Sequence, residues 1–242
     1  MPFSRRQRLE RWSTRLRGRP TAHFLHIGKT AGTAVKTGLE EASGTGNFHL
    51  MLHSHNIRLM DIPEGDFAFF CVRDPVGRFV SGFRSRQRQG QPAHFRPWRP
   101  GEAEAFAVFS SPDALGLALG AGGEEQRQAE AAMAAIAHVN RSYWWWFQDA
   151  AYLRGRAGHI LWIGRQEHLD LSALEEALGL EKIILPTDPA RAHRGPTGPD
   201  TELSPRAREL LQAWYAADFE FLALCDELVG NSDGPDERPT GS

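Results

Sequence analysis

Residues 21–39 read TAHFLHIGKTAGTAVKTGL, from Thr21 to Leu39, and this stretch decides the fold. Ala22 to Ile27 is a short apolar run carrying Phe24, Leu25 and Ile27, with Pro20 before it and Gly28 after it. A run that is apolar at successive positions suits a parallel strand covered on both faces. A helix is expected next, with Thr33 as its cap and Val35 and Leu39 on one face at i and i+4. Gly28 and Gly32 give the loop between strand and helix its freedom. Such a loop aims backbone N–H groups, the Thr30 and Thr33 hydroxyls and the Lys29 ammonium at one point. That point favours a phosphate or a sulfate.

The phosphate loop of ATP- and GTP-binding proteins requires G-x-x-x-x-G-K-[ST]. With Gly28-Lys29-Thr30 as its end, the first glycine would fall at His23, so that motif fails. A second apolar strand is expected over Phe67 to Val72, FAFFCV, leading directly into Arg73-Asp74-Pro75-Val76-Gly77-Arg78-Phe79-Val80-Ser81-Gly82-Phe83. Pro75 suits the first position of a helix and Asp74 its cap. At the carboxyl end of a neighbouring parallel strand, Arg73 as a bidentate donor and Ser81 through its hydroxyl could reach a second phosphate.

The loop HIGKTAGT, His26 to Thr33, resembles the 5′-phosphosulfate loop of sulfotransferases that use 3′-phosphoadenosine 5′-phosphosulfate (PAPS), in particular the carbohydrate 2-O-sulfotransferases. The pattern RDPxxRxxSxF from Arg73 resembles the 3′-phosphate motif of the same family, about forty residues later and in the same order. The resemblance spans about two-thirds of the chain, strongest at these two motifs. It implies a P-loop-like three-layer α/β/α fold with a mostly parallel central sheet. It also implies PAPS as donor, leaving PAP, held by Lys29, Thr30, Ala31, Gly32 and Thr33 at one end and by Arg73 and Ser81 at the other.

The implied reaction is transfer of a sulfuryl group to an acceptor hydroxyl on a carbohydrate or another hydroxylated metabolite. Like phosphoryl transfer, it depends on positioning and charge stabilisation. The H-x-H pair His53 and His55 lies between the two motifs and resembles the segment supplying the general base, with His55 the base and His53 auxiliary. Lys29 and the loop N–H groups would stabilise the leaving oxygen, a role that Mg²⁺ has in kinases, so no metal is expected. His26 is expected to shape the loop. Glu167, after a third strand over His159 to Gly164, could orient a loop or make an ion pair. A late loop closes over the nucleotide in the family, which makes Arg191, His193 and Arg194 candidates, Arg194 for the nucleotide. Two other functions fit parts of the pattern: an ATP-dependent small-molecule kinase, and a sulfotransferase-like protein that binds PAP without catalysis.

The chain has 242 residues, of which 41% are hydrophobic, enough for one large core. Its charge is uneven: residues 1–100 hold about 17 Lys/Arg against about 7 Asp/Glu, leaving roughly 11 against 23 beyond. The basic half contains both anion motifs, where a negatively charged donor would be steered. No zinc-finger, RNP or recognition-helix pattern accompanies it, so nucleic acid is not expected as partner. Cys71 and Cys225 lie in apolar segments and read as buried thiols. No apolar run spans a membrane and the N-terminus lacks a signal-peptide core, which predicts a cytoplasmic enzyme of the bacterial type.

Three regions complete the expected organisation: a basic helical extension over 1–20, the main domain over 21–229 and a disordered tail over 230–242. The extension, with Leu9, Trp12 and Leu16 on one face, would pack on the domain or touch an acidic membrane surface. Gly44 to Gly46 is a turn and Phe48 to Leu52 a possible strand. Residues 84–100, basic and without periodicity, read as a loop or an acceptor-binding segment, where Phe95 or Trp98 could stack on a ring. A largely helical region is expected over 124–155, with the aromatic run Tyr143 to Phe147 split between core and surface. A short helix from Leu171 to Leu178 closes at Gly179, and a long final helical stretch starts from Ser204 and Pro205.

Overall fold

The computed structural model describes residues 18–42, 46–92, 94–187 and 203–230. Residues 1–17 of the basic extension, Gly44 and Thr45 of the expected turn, Arg191, His193 and Arg194 of the late loop, and the tail beyond Gly230 lie outside them. Four strands form one sheet: β1 (Thr21–Leu25), β2 (His49–Leu52), β3 (Phe67–Val72) and β4 (Ile160–Arg165). Their order is β2-β1-β3-β4 and every pairing is parallel. Helices flank this sheet, giving the three-layer α/β/α arrangement.

Side chains of the central strands alternate between two apolar clusters. Phe24, Phe69 and Cys71 join Val35 and Leu39 of helix α1 (Gly32–Ala42) on one side. Leu25, Phe70 and Val72 join Tyr143, Trp146, Phe147 and Phe221 on the other. Both faces are covered, which is why these strands read as continuous apolar runs. Burying each large side chain contributes about 1.5–3 kcal/mol. A third cluster lies among helices α2 (Pro75–Gln87), α3 (Pro100–Val108), α4 (Pro112–Ala118), α5 (Gly123–Ala135) and α9 (Pro205–Trp214).

β1 stands between β2 and β3, so the chain leaves β1 to one side, forms β2, and returns to the opposite side as β3. A parallel sheet opens a crevice at such a switch point, beyond the carboxyl ends of the strands. Leu25 is in register with Phe70, so the segments after β1 and β3, which carry the two anion motifs, emerge together there.

Several expected boundaries shift. β1 stops at Leu25, and α1 begins at Gly32, so Thr33 lies within the first turn instead of capping it. Asp74 does cap α2, accepting a hydrogen bond from Gly77 N at 2.7 Å, with Pro75 at the first position. Residues 124–155 are largely helical as expected, but in three pieces: α5 stops at Ala135, a single turn α6 follows (Trp144–Phe147), and α7 (Ala150–Gly155) comes after Gln148 at φ +69°. Of the aromatic run, Tyr143, Trp146 and Phe147 are buried while Trp144 and Trp145 are half-buried. The three buried rings fall at i, i+3 and i+4, one helical face turned to the core, while Trp144 and Trp145 lie off that face. α8 (Ser172–Leu178) ends at the left-handed Gly179, and the final stretch divides at Tyr215 into α9 and α10 (Ala216–Gly230).

Arg78, 2% exposed, ties these parts together. Its Nε donates to Gly28 O at 3.2 Å, Nη2 donates to Arg141 O at 2.7 Å, and Nη1 pairs with Asp218 Oδ2 of α10 at 3.5 Å. The guanidinium also faces the Tyr143 ring, 4.7 Å from its centroid. The other Asp218 oxygen accepts from Ser142 Oγ and from Tyr143 N. Removing one member of a buried pair leaves an uncompensated charge. Arg78→Met should therefore destabilise the fold by about 3–5 kcal/mol and lower Tm by on the order of 10 °C, while Arg78→Met with Asp218→Leu should recover part of the loss. Thermal denaturation of the three proteins checks this.

Candidate functional site

The loop after β1 is shaped by residues the sequence reading did not single out for backbone geometry. Lys29 (φ +71°) and Ala31 (φ +65°) hold the left-handed conformation, whereas Gly28 and Gly32 do not. Alternating left-handed residues turn successive N–H groups toward a common concavity suited to an anion. The glycines supply space instead: a Cβ on Gly32 would meet the His26 ring at 2.3 Å, and one on Gly28 would meet His138 Nδ1 at 3.0 Å. Thr30 is fully buried and its hydroxyl donates to Ile27 O at 3.1 Å, so it closes the loop on itself. Thr33 is half-buried in the first turn of α1.

Lys29 is the cation at this loop. Burial, then Arg73 and Arg88, bring its ammonium down to about 8. Arg73 Nη1 approaches Lys29 O at 3.5 Å, so the turn after β3 reaches the loop after β1. The Arg73 backbone is held twice by Tyr143, whose hydroxyl accepts from Arg73 N at 2.9 Å and donates to Arg73 O at 2.7 Å. Glu167 accepts from Asp74 N at 2.8 Å, so it orients the Arg73–Asp74 turn. Ser81 is half-buried on the second turn of α2, three residues beyond Arg78. A concave loop beside a cluster of cations, whose mutual repulsion is visible at Lys29, is a setting suited to an anion.

The two histidines of the H-x-H pair are held differently. His55 Nδ1 lies 2.8 Å from His26 O, and a carbonyl only accepts, so Nδ1 carries the proton and Nε2 keeps its lone pair. Burial lowers the His55 imidazole; the His26 bond opposes this, and Lys29, Arg141 and Arg96 add to the lowering. A neutral ring with a free Nε2 has the form a general base needs. His53, 4% exposed, belongs to a buried chain: Asp66 Oδ2 to His23 Nε2 at 3.0 Å, and His23 Nδ1 to His53 Nε2 at 2.8 Å. With Asp66 ionised, His23 donates to Asp66 and His53 donates to His23, the opposite tautomer from His55. Burial, with His23 and Lys36, brings His53 down to about 3.

Three further groups support the site. Trp146 Nε1 donates to His55 O at 3.0 Å, fixing the backbone of that residue from the aromatic run. Arg58 and Arg141 lie over the half-buried Trp145, 5.4 and 4.1 Å from its ring. His138 lies edge-on to His55, with ring centroids 5.9 Å apart. Sequence reasoning missed His138 because it sits in a segment expected to be helical, and nothing in its neighbours marks it.

The segment 84–100 divides into two. Arg86 makes a buried bidentate pair with Glu102, at 2.7 Å for each bond, and Trp98 Nε1 donates to Arg86 O. Burial raises Glu102, but the bonds from Arg86, Arg99 N and Ala137 N outweigh it and bring the carboxyl down to about 2. Phe95 remains 63% exposed. Among the described residues no group of three or more His, Cys, Asp and Glu side chains comes together as a metal site. A cavity of about 320 Å³ lies apart from the loop after β1, between α5 and the α9–α10 junction, lined by Glu130, Trp214 and Asp218 among others.

The His53 chain has a measurable consequence. His53 stays neutral in the folded protein down to about pH 3, while the unfolded chain takes up a proton near 6.5. Between those values the unfolded state binds more protons, so stability falls as pH drops, by up to about 1.4 kcal/mol per pH unit. Chemical denaturation at pH 7, 6 and 5 should show this decline, and His53→Gln should make it less steep, leaving the part contributed by the other depressed histidines.

No family model matches the chain, and no curated protein or solved structure is significantly similar to it.

Proposed function

We propose that the chain is a PAPS-dependent sulfotransferase acting on a hydroxyl of a carbohydrate or other hydroxylated metabolite. The observation that carries this reading is the convergence of three elements at one switch point: the left-handed loop with Lys29, Arg73 after the adjacent strand, and a histidine whose Nε2 is left free to accept a proton. PAPS supplies the sulfuryl group. His55 Nε2 accepts the acceptor hydroxyl's proton, while the His26 carbonyl holds Nδ1–H and so fixes which nitrogen reacts. A positioned base of this kind contributes on the order of 10²- to 10⁴-fold. Lys29 and the loop N–H groups from Thr30 to Thr33 stabilise negative charge on the oxygen that leaves. Arg73 and Ser81 hold the 3′-phosphate, the group that separates this donor from ATP. His53, committed to His23 and Asp66, anchors the segment that presents His55.

Thermal-shift titration with PAP, Mg²⁺-ATP and adenosine 5′-phosphosulfate tests the donor assignment. PAP should stabilise the protein selectively, as RT ln(1 + [L]/Kd), and Arg73→Ala should abolish that preference. Equal stabilisation by Mg²⁺-ATP would instead support a kinase. The charge of Lys29 adds a pH signature. Its ammonium is lost as pH rises through about 8, so PAP affinity should weaken above pH 8, by up to about tenfold per pH unit. His55→Ala should keep PAP binding and lose about 10²-fold or more in transfer, whereas a protein that only binds PAP would show no transfer to lose.

A further inference from the structure

We propose that His138 is a positioning residue of the transfer site, wedged between Gly28 of the phosphate loop and the ring of His55, so that it fixes the ring of the base. The inference deepens the sulfotransferase reading and rests on it for the role of His55.

The placement of His138 is over-determined. The residue adopts φ +69°, a conformation that costs a non-glycine side chain energy and persists only where the surroundings enforce it. Every neighbour of the turn is tied: Ala137 N donates to the buried Glu102 at 3.0 Å, Val139 O accepts from Tyr215 at 3.2 Å, and Arg141 O accepts from Arg78 at 2.7 Å. Two glycines in separate elements leave room for it. A Cβ on Gly28 would stand 3.0 Å from His138 Nδ1, and a Cβ on Gly82 of α2 would stand 3.3 Å from His138 Cβ. A strained backbone, held from three sides and accommodated by two glycines, places one imidazole against the anion loop and edge-on to His55.

The electrostatic setting agrees with that role. His138 is brought to about 3 by burial, then by Lys29, His55, Arg78 and Arg86, so it faces His55 as a neutral ring. His55 is faced by Lys29, Arg141 and Arg96 as cations and by His26 and His138 as rings. The largest influence on His55 is its own burial, which the His138 ring helps to maintain. Removing that ring admits water beside His55 and moves its titration toward the ordinary value near 6.5.

The test uses the full chain and two acceptor-independent readouts: NMR pH titration of the histidine ring Cε1–H signals, with His55 assigned through His55→Gln, and the thermal shift caused by PAP. His138→Asn tolerates the left-handed backbone, and Gly28→Ala displaces the ring without deleting it. In both variants His55 should titrate at higher pH than in the wild type, by about 0.5 unit or more, and the stabilisation by PAP should shrink. Unchanged His55 titration in either folded variant would overturn the proposal, because a ring that merely packs would not alter the base. Failure of the wild type to respond to PAP would overturn the sulfotransferase reading alone, since the His138–His55 coupling is read by NMR without any ligand.

Discussion

The buried guanidinium of Arg78 is the interaction on which the rest of the structure depends. It joins the carbonyl of Gly28, the carbonyl of Arg141 and the carboxylate of Asp218, from three segments far apart in the chain. An arginine suits this position because its planar fork presents several donors at fixed angles, and it lies against the Tyr143 and Trp146 rings. A buried charge of this kind is tolerated only when its donors are satisfied and its charge is matched. Burial pushes the Asp218 carboxyl up, and the Ser142 hydroxyl, Arg78 and the Tyr143 N–H oppose that rise. The pair therefore specifies one docking of α10 and the 138–147 segment against the loop after β1.

That docking places strain and unbalanced charge side by side at the carboxyl end of the sheet. Lys29, Ala31 and His138 all hold left-handed backbone within one neighbourhood, while three separate apolar clusters supply the stability that makes such strain sustainable. Lys29 is crowded by Arg73 and Arg88, and His55 by Lys29, Arg141 and Arg96. Repulsion among these cations costs the protein stability, and a bound anion would relieve it. The neutral histidines complete the picture. His53 and His55 are two residues apart yet take opposite tautomers, because one meets another imidazole backed by Asp66 and the other meets a carbonyl.

The sequence by itself determined the sheet and the two motif positions. Phe24, Leu25, Phe69, Phe70 and Val72 are apolar at successive positions because both faces of a parallel sheet are covered, and that pattern is local. Two of the caps were legible for the same reason: Asp74 with Pro75, and Ser204 with Pro205, act within one turn of their own helices, whereas Thr33 lies inside its helix. Only the tertiary structure decided the remainder. It separated His55 from His53, since tautomers follow from partners that lie about thirty residues away or more along the chain. It broke the helical stretch at His138 and Gln148, where packing against glycines and buried polar pairs overrides the propensity of the alanine-rich sequence before it. It also reversed the expected part of Gly28 and Gly32, which admit neighbouring rings instead of turning the backbone, because the space a side chain would fill is set by residues from another segment. Periodicity and capping are short-range and so are written in the sequence; partner identity and available volume are long-range, and exist only once the chain has folded.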